Sequence, residues 1–187
     1  MTWKGWRLHF VFIGLILTLL LLFGGEGLYR RYFVIEPLKQ SLKSEQGVQA
    51  VDVQEMPQGY RLLVKMGPVE NIQSAYQEIE TRAEKALGRR VLEVVLIDKR
   101  SPALANAWQQ AQFAIYEAVA RGNFTEMAAR VDELARREEI EHYALNIDAH
   151  NIYLQFHQGD NYLYAVIPRI ESSGNILAAG GGVNPGA

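Results

Sequence analysis

LHFVFIGLILTLLLLF, at residues 8–23, is a run of sixteen residues that carries no formal charge. A membrane-spanning helix needs about 20 apolar residues at about 1.5 Å of rise per residue. The run reaches that length when it is extended across Glu26 to Gly27, and aromatic residues flank it on both sides. The sequence therefore predicts a single transmembrane anchor at residues 8–27. The side chains assigned to the anchor are those of Leu8, Phe10, Phe12, Ile13, Leu15, Leu19, Leu22 and Phe23.

Two other interpretations of this run are weaker. In a cleaved secretory signal, Lys4 and Arg7 would form the basic region, but the apolar run is at or beyond the usual upper limit of about 15 residues. A buried core helix of a small domain would also carry a polar face, which this run lacks. An uncleaved signal-anchor is the preferred interpretation, and cleavage stays open as the alternative.

The flanks of the run bear on its orientation. Residues 1–7 form a short basic tail, whose translocation is disfavoured, whereas a long C-terminal region crosses a membrane with little regard to its charge. We therefore expect residues 28–187 to be extracytoplasmic, although Arg30 and Arg31 directly after the run argue for the opposite orientation. The absence of cysteine agrees with export and does not require it.

The rest of the composition limits the classes of partner. The formal net charge is −2 and the charges are mixed in sign, which argues against a nucleic-acid partner because such a partner calls for a basic patch. Residues 172–187 are Gly-rich with few large apolar side chains, so a disordered tail is predicted there. About 140 residues remain for one domain or two small modules.

An α+β fold is predicted between the anchor and the tail. Residues 28–47 form a juxtamembrane linker with a short helix that starts near Glu36, because Pro37 suits a first helical turn. Residues 48–100 form a small α+β module. Alternating or β-branched runs predict strands at 48–53, 60–66 and 91–97, and apolar spacing of three and four residues predicts a helix at 70–87. This order of elements resembles that of small ring-building and other envelope-assembly domains, but many unrelated folds share it, so it identifies no family.

Residues 101–171 are predicted to form a helical hairpin followed by three strands. Ser101 and Pro102 have the chemistry of an N-cap and a first helical residue, and Gly122 divides the two helices. Short runs at 143–147, 152–157 and 162–167 are separated by segments of turn composition, which indicates an antiparallel sheet. A helix-covered antiparallel or mixed sheet in each module accounts for all these elements.

The densest polar cluster comprises His142, Asp148, His150, His157 and Asp160. A metal site is not predicted there, because His150 and His157 are seven residues apart along one strand and an odd offset directs their rings to opposite faces. The sequence also has no cysteine nucleophile, no Gly-x-Ser-x-Gly context and no phosphate-binding glycine loop. Neither catalytic residues nor a cofactor is predicted.

Tyr153, Tyr162 and Tyr164 make the last hairpin rich in aromatic residues. Aromatic residues on an exposed sheet face can bind glycans or a partner strand, although aromatics are also common as ordinary cross-strand pairs. The three tyrosines are therefore the candidate binding surface.

The sequence as a whole predicts a membrane-anchored, non-enzymatic interaction or assembly module of the cell envelope. Its expected partners are the lipid bilayer and other membrane or envelope proteins, with a homo-oligomer as a further possibility. The alternative is a tethered domain that binds or senses a ligand or an envelope polymer through the three tyrosines.

Overall fold

The computed structural model describes residues 10–18, 31–88 and 91–169. The α+β class is confirmed, with two three-stranded sheets. A helix, α1, covers residues 10–18. A π-helical turn at Arg31–Ile35 leads into α2, Glu36–Lys43. The remaining elements, in chain order, are β1 Val48–Met56, β2 Gly59–Met66, α3 Ile72–Leu87, β3 Val91–Ile97, α4 Pro102–Arg121, α5 Phe124–Arg137, β4 His142–Ile147, β5 Asn151–Gln158 and β6 Asn161–Pro168.

The membrane-spanning helix predicted at residues 8–27 is wrong. Within residues 10–18, 31–88 and 91–169, no helix combines the length and the apolar character needed to cross a bilayer. The single-pass signal-anchor and the extracytoplasmic placement of residues 28–187 were both predicted from that helix. These two predictions are therefore wrong as well.

The residues assigned to the anchor divide into two sets. Phe10, Phe12, Ile13 and Leu15 lie in α1 with exposed side chains. Leu8, Leu19, Leu22 and Phe23 lie outside the described residues, as do the predicted N-terminal tail at 1–7 and the predicted C-terminal tail at 172–187.

Local sequence accounts for where the other helices begin and end. The side chain of Asn71 accepts hydrogen bonds from the backbone N–H groups of Gln73 and Ser74 and so caps α3. Ser101 caps α4 in the same way through the N–H of Leu104, with Pro102 as the first helical residue, as predicted. Gly122 adopts a left-handed conformation, with φ of 75°, and ends α4 before α5 turns back.

Sheet A consists of β1, β2 and β3 in that order. β1 and β2 form an antiparallel hairpin, whereas β3 is parallel to β2 because α3 returns the chain to the start of the sheet. Alternate residues of β2, such as Leu62 and Val64, are fully buried. Their neighbours Arg61 and Lys65 lie on the opposite, more accessible face.

Sheet B is the antiparallel meander β4–β5–β6. One face, here called the helix face, includes Ile152, Leu154 and Phe156 of β5 and packs against α4 and α5. The opposite face, here called the tyrosine face, includes Tyr153, Tyr162 and Tyr164 and joins the core formed by sheet A, α2 and α3. Sheet B therefore lies between the helical hairpin and the N-terminal module, and both of its faces are buried.

Candidate interaction surface

The tyrosine face holds the two modules together through buried hydrogen bonds. The hydroxyl of Tyr164 donates to the carbonyl of Gly67 at 3.1 Å and accepts from the N–H of Val69 at 3.0 Å. The hydroxyl of Tyr162 donates to the carbonyl of Met66 at 3.0 Å. These bonds satisfy backbone groups in the loop that connects β2 to α3, which would otherwise be buried without partners.

Gln155 makes the most extensive of these contacts. Its Oε1 accepts from the N–H of Ile72 at 3.0 Å, and its Nε2 donates to the carbonyls of Val69 and Glu70 at 3.2 and 3.0 Å. Only 7 % of Gln155 is exposed. One amide side chain therefore bonds to three backbone groups at the start of α3, including one of the N–H groups that a helix N-terminus leaves unpaired.

The three tyrosines of the predicted binding surface lie on one face of sheet B, but they are not accessible. Tyr153 and Tyr164 are 1 % exposed and Tyr162 is 7 % exposed. Burial is the main reason that the pKa of Tyr164 and that of Tyr153 are both raised to about 12. These side chains contribute to the contact between the modules, and a glycan or partner strand cannot reach them in this conformation.

The polar cluster proposed from the sequence is divided between two ends of sheet B. His142 and His157 are direct cross-strand partners on β4 and β5, a pairing that depends on the strand register and was not predicted from the sequence. Asp148 and His150 lie in the turn at the other end of the same strands. Burial and then the neighbouring His142 lower the pKa of His157. Within the described residues, no group of three or more His, Cys, Asp or Glu side chains is placed to hold a metal ion.

The carboxylate of Asp148 is fully engaged in structural hydrogen bonds. Its Oδ1 accepts from the N–H groups of His150 and Asn151 at 2.7 and 2.8 Å. Its Oδ2 accepts from the hydroxyl of Tyr153 at 2.7 Å and from Nε2 of Gln77 at 2.9 Å. Desolvation alone would raise the pKa of Asp148, but these hydrogen bonds lower it well below its usual value. Four donors occupy the acceptor sites of one carboxylate, so the group is poorly suited to act as a general base.

The most accessible pairing surface lies at the outer edge of β4. β5 is the only strand that pairs with β4 in the described part of the chain. The segment HYALNI contains no Pro, Gly, Asp, Glu, Lys or Arg, and its register with β5 has no bulge. Natural sheets protect their edges with charges, prolines, bulges or covering elements, and β4 carries none of the first three.

Two of the other three sheet edges carry protection that β4 lacks. β1 has a register irregularity between Val48 and Ala50, carries charged side chains and packs against α2. β6 ends in Pro168, and its Tyr162 forms a bridge with Lys99 in the segment after β3. The remaining edge strand, β3, carries the charged Glu93. β4 is therefore the one edge strand of the two sheets in the described residues that has neither a charged Asp, Glu, Lys or Arg side chain nor a proline.

Three β4 residues direct their backbone groups away from β5. The N–H of Asp148 donates to the carbonyl of Asn151, which marks these two as a hydrogen-bonded pair. Hydrogen-bonded and non-hydrogen-bonded pairs alternate along an antiparallel ladder. Tyr143, Leu145 and Ile147 therefore direct one N–H and one C=O each toward the open edge.

The side chains of the same three residues form an apolar border on the helix face. Tyr143 is 38 % exposed and Ile147 is 37 % exposed, and Leu145 is half-buried against the core beneath α5. The hydroxyl of Tyr143 donates to Asp132 of α5, which fixes the ring beside the edge. β4 thus offers a row of backbone hydrogen-bonding groups next to partly exposed apolar side chains.

Comparison of the chain with known protein families, with curated proteins and with solved structures finds no match.

Proposed function

We propose that this chain is a non-enzymatic interaction module, and that an extended protein strand docks on it by adding to the outer edge of β4. The unprotected edge of β4, with its apolar border, carries this proposal. Main-chain hydrogen bonds to such an edge supply affinity, and the side chains along the edge supply specificity. The buried hydrogen bonds between the two modules support the role, because a docking strand then meets a preformed sheet.

Two other functions have less support. Acid–base catalysis in the β4–β5 turn would need a free carboxylate, and that of Asp148 is occupied by four donors. A ligand-binding domain that uses Tyr153, Tyr162 and Tyr164 would need exposed rings, and all three rings are buried. We therefore propose neither of them.

Photo-crosslinking tests the proposal in the cells that naturally make the protein. A photoreactive phenylalanine analogue replaces Tyr143 in the full chain, and the control places the same analogue at Phe113, which is 73 % exposed on α4. We expect a crosslinked product of discrete mass from position 143 only. The same products from both positions, or no product from position 143, would refute strand docking at β4.

A second variant links the crosslink to backbone pairing. The N–H of Ile147 faces the open edge, so Ile147→Pro removes a docking donor without removing a hydrogen bond to β5. We expect the crosslink at position 143 to disappear in this variant, while circular dichroism shows an unchanged fold. An undiminished crosslink would mean that the partner contacts the side chain without adding a strand.

A further inference from the structure

We infer that the strand that docks on β4 is β4 of a second copy of this chain, paired antiparallel with the two Leu145 residues facing each other across a two-fold axis. This inference rests on the proposed docking edge and names its occupant. The resulting sheet has six strands, three from each copy.

The backbone favours this register over its neighbours. With Leu145 opposite its own copy, Tyr143 of each chain faces Ile147 of the other, so all three outward-directed residues are paired. Each such pair exchanges two hydrogen bonds, which gives six bonds across the axis. A shift of two residues in either direction leaves one outward-directed residue of each chain without a partner and reduces the number of bonds to four.

The helix-face side chains match in the same register. The aromatic ring of Tyr143 lies across from the β-branched Ile147 of the other copy, twice by symmetry, and the two Leu145 side chains lie between these pairs. Aromatic and β-branched side chains are favourable cross-strand partners. The pairing covers the exposed parts of Tyr143 and Ile147, 38 % and 37 % of their surfaces, with apolar atoms of the other chain.

The charged side chains on and beside β4 are compatible with this register. Asp148 of each copy lies opposite His142 of the other, and Glu141 lies opposite Ala149. No two acidic or two basic side chains of residues 141–149 face each other. A parallel, in-register pairing would instead place Glu141 beside Glu141 and Asp148 beside Asp148, and like charges directly opposite each other destabilise a sheet.

Two-fold pairing also explains how the edge of β4 can lack protection. An isologous contact uses the same edge of both subunits and leaves no free copy of it. The other edge of sheet B is partly occupied by the bridge from Tyr162 to Lys99 and ends in Pro168, which disfavours the addition of further copies there.

Sedimentation velocity of the full chain over a range of concentrations tests the inference. We expect a dimer that dissociates on dilution. Tyr143→Lys places lysine opposite Ile147, and Ile147→Glu places glutamate opposite Tyr143, each at two symmetric positions. Each single substitution should weaken the dimer by about tenfold or more. The variant that carries both substitutions should regain much of the affinity, because lysine and glutamate then face each other twice.

Phe113→Lys is the matched control, since it adds the same charge at a more exposed site on α4, and it should leave the dimer unchanged. The inference fails if the chain is monomeric at all concentrations, if dimerisation ignores the single substitutions, or if the double variant stays as weak as either single one.

Hydrogen exchange and the crosslink show whether a negative result refutes only the second copy or strand docking as well. A monomer whose position 143 crosslinks to a different protein refutes the second copy and retains strand docking. A monomer in which the N–H groups of Tyr143, Leu145 and Ile147 are protected from exchange has its edge covered by another segment of the same chain. That result would overturn both the inference and the proposed function.

Discussion

Sheet A and sheet B have the same number of strands but differ in how they are covered. In β2 of sheet A, buried residues such as Leu62 and Val64 alternate with more accessible ones such as Arg61 and Lys65. In β5 of sheet B, six consecutive residues, Asn151 to Phe156, are all buried. Sheet A thus packs on one face and sheet B packs on both, so substitutions in the two sheets should have unequal effects.

This difference shows which contacts hold the two modules together. The helix face of sheet B is closed by apolar packing against α4 and α5, whereas its tyrosine face is closed by apolar packing together with hydroxyl and amide hydrogen bonds. The central sheet therefore links the two modules, and its strands should be the most sensitive to substitution.

The largest expected effect comes from truncating the helix face of sheet B. Phe156 is fully buried, and Phe156→Ala should lower the free energy of unfolding by about 3–5 kcal/mol because it leaves a cavity. Leu63→Ala on the accessible face of β2 should cost about 1–2 kcal/mol, because solvent fills the space. Urea unfolding followed by far-ultraviolet circular dichroism measures both. Equal costs would show that the two sheets are covered alike.

The amide contact between the modules should give the second largest effect. Gln155→Leu keeps the approximate side-chain volume but leaves the N–H of Ile72 and the carbonyls of Val69 and Glu70 without their partner. We expect a loss of about 2–3 kcal/mol in urea unfolding. Gln54→Leu, at an exposed position of β1, is the control and should change stability by less than about 0.5 kcal/mol. A similar result for both variants would mean that the modules are not joined at Gln155.

The sequence predicts the elements well because each has a local signal. The start of α2 near Pro37, the capping of α4 by Ser101 and the extent of β3 all follow from residues within the element itself. The sequence also contains a pattern that indicates burial of sheet B on both faces. The nearly continuous apolar runs of β5 and β6 are typical of strands that are buried on both faces.

The candidate sites were harder to predict because they depend on long-range packing. Alternation places Tyr162 and Tyr164 on one face, but it does not say that the loop after β2 covers that face. No local pattern states that β4 lies at an edge either, since the order of strands in a sheet is a tertiary property. The predicted anchor rested on the length and composition of the apolar run alone, and no helix in the described part of the chain combines the length and the apolar character that a membrane span needs.

Alkaline pH should lower the free energy of unfolding by ionising the buried hydroxyl of Tyr164 on the tyrosine face. The pKa of Tyr164 is raised to about 12 in the folded chain, mainly by burial, from an unperturbed value near 10. The stability from keeping this hydroxyl neutral is fully present below pH 10 and is lost as the pH rises from about 10 to 12. Thermal unfolding at several pH values should therefore show a steep loss of stability in that range.

Tyr164→Phe separates this hydroxyl from the others. At pH 7 the variant loses the bonds to Gly67 and Val69 and should be about 1–2 kcal/mol less stable. Between pH 10 and 12, however, it should lose less stability than the unmodified chain. Tyr32→Phe, at a position that is 65 % exposed, should reproduce neither change. If Tyr164→Phe lost as much stability between pH 10 and 12 as the unmodified chain does, Tyr164 would be excluded as the titrating group.

The smallest effect is expected on the accessible face of sheet A, where Arg61 and Glu93 form an ion pair between the adjacent strands β2 and β3. Nε of Arg61 lies 2.7 Å from Oε2 of Glu93, and the two side chains are 35 % and 24 % exposed. Because water and salt screen such a pair, a double-mutant cycle with Arg61→Ala and Glu93→Ala should give a coupling energy below about 1 kcal/mol. That energy should fall further in 1 M salt, where the screening length is only about 3 Å. A larger coupling that salt leaves unchanged would mean that this face is covered, and sheet A would then be buried on both faces, as sheet B is.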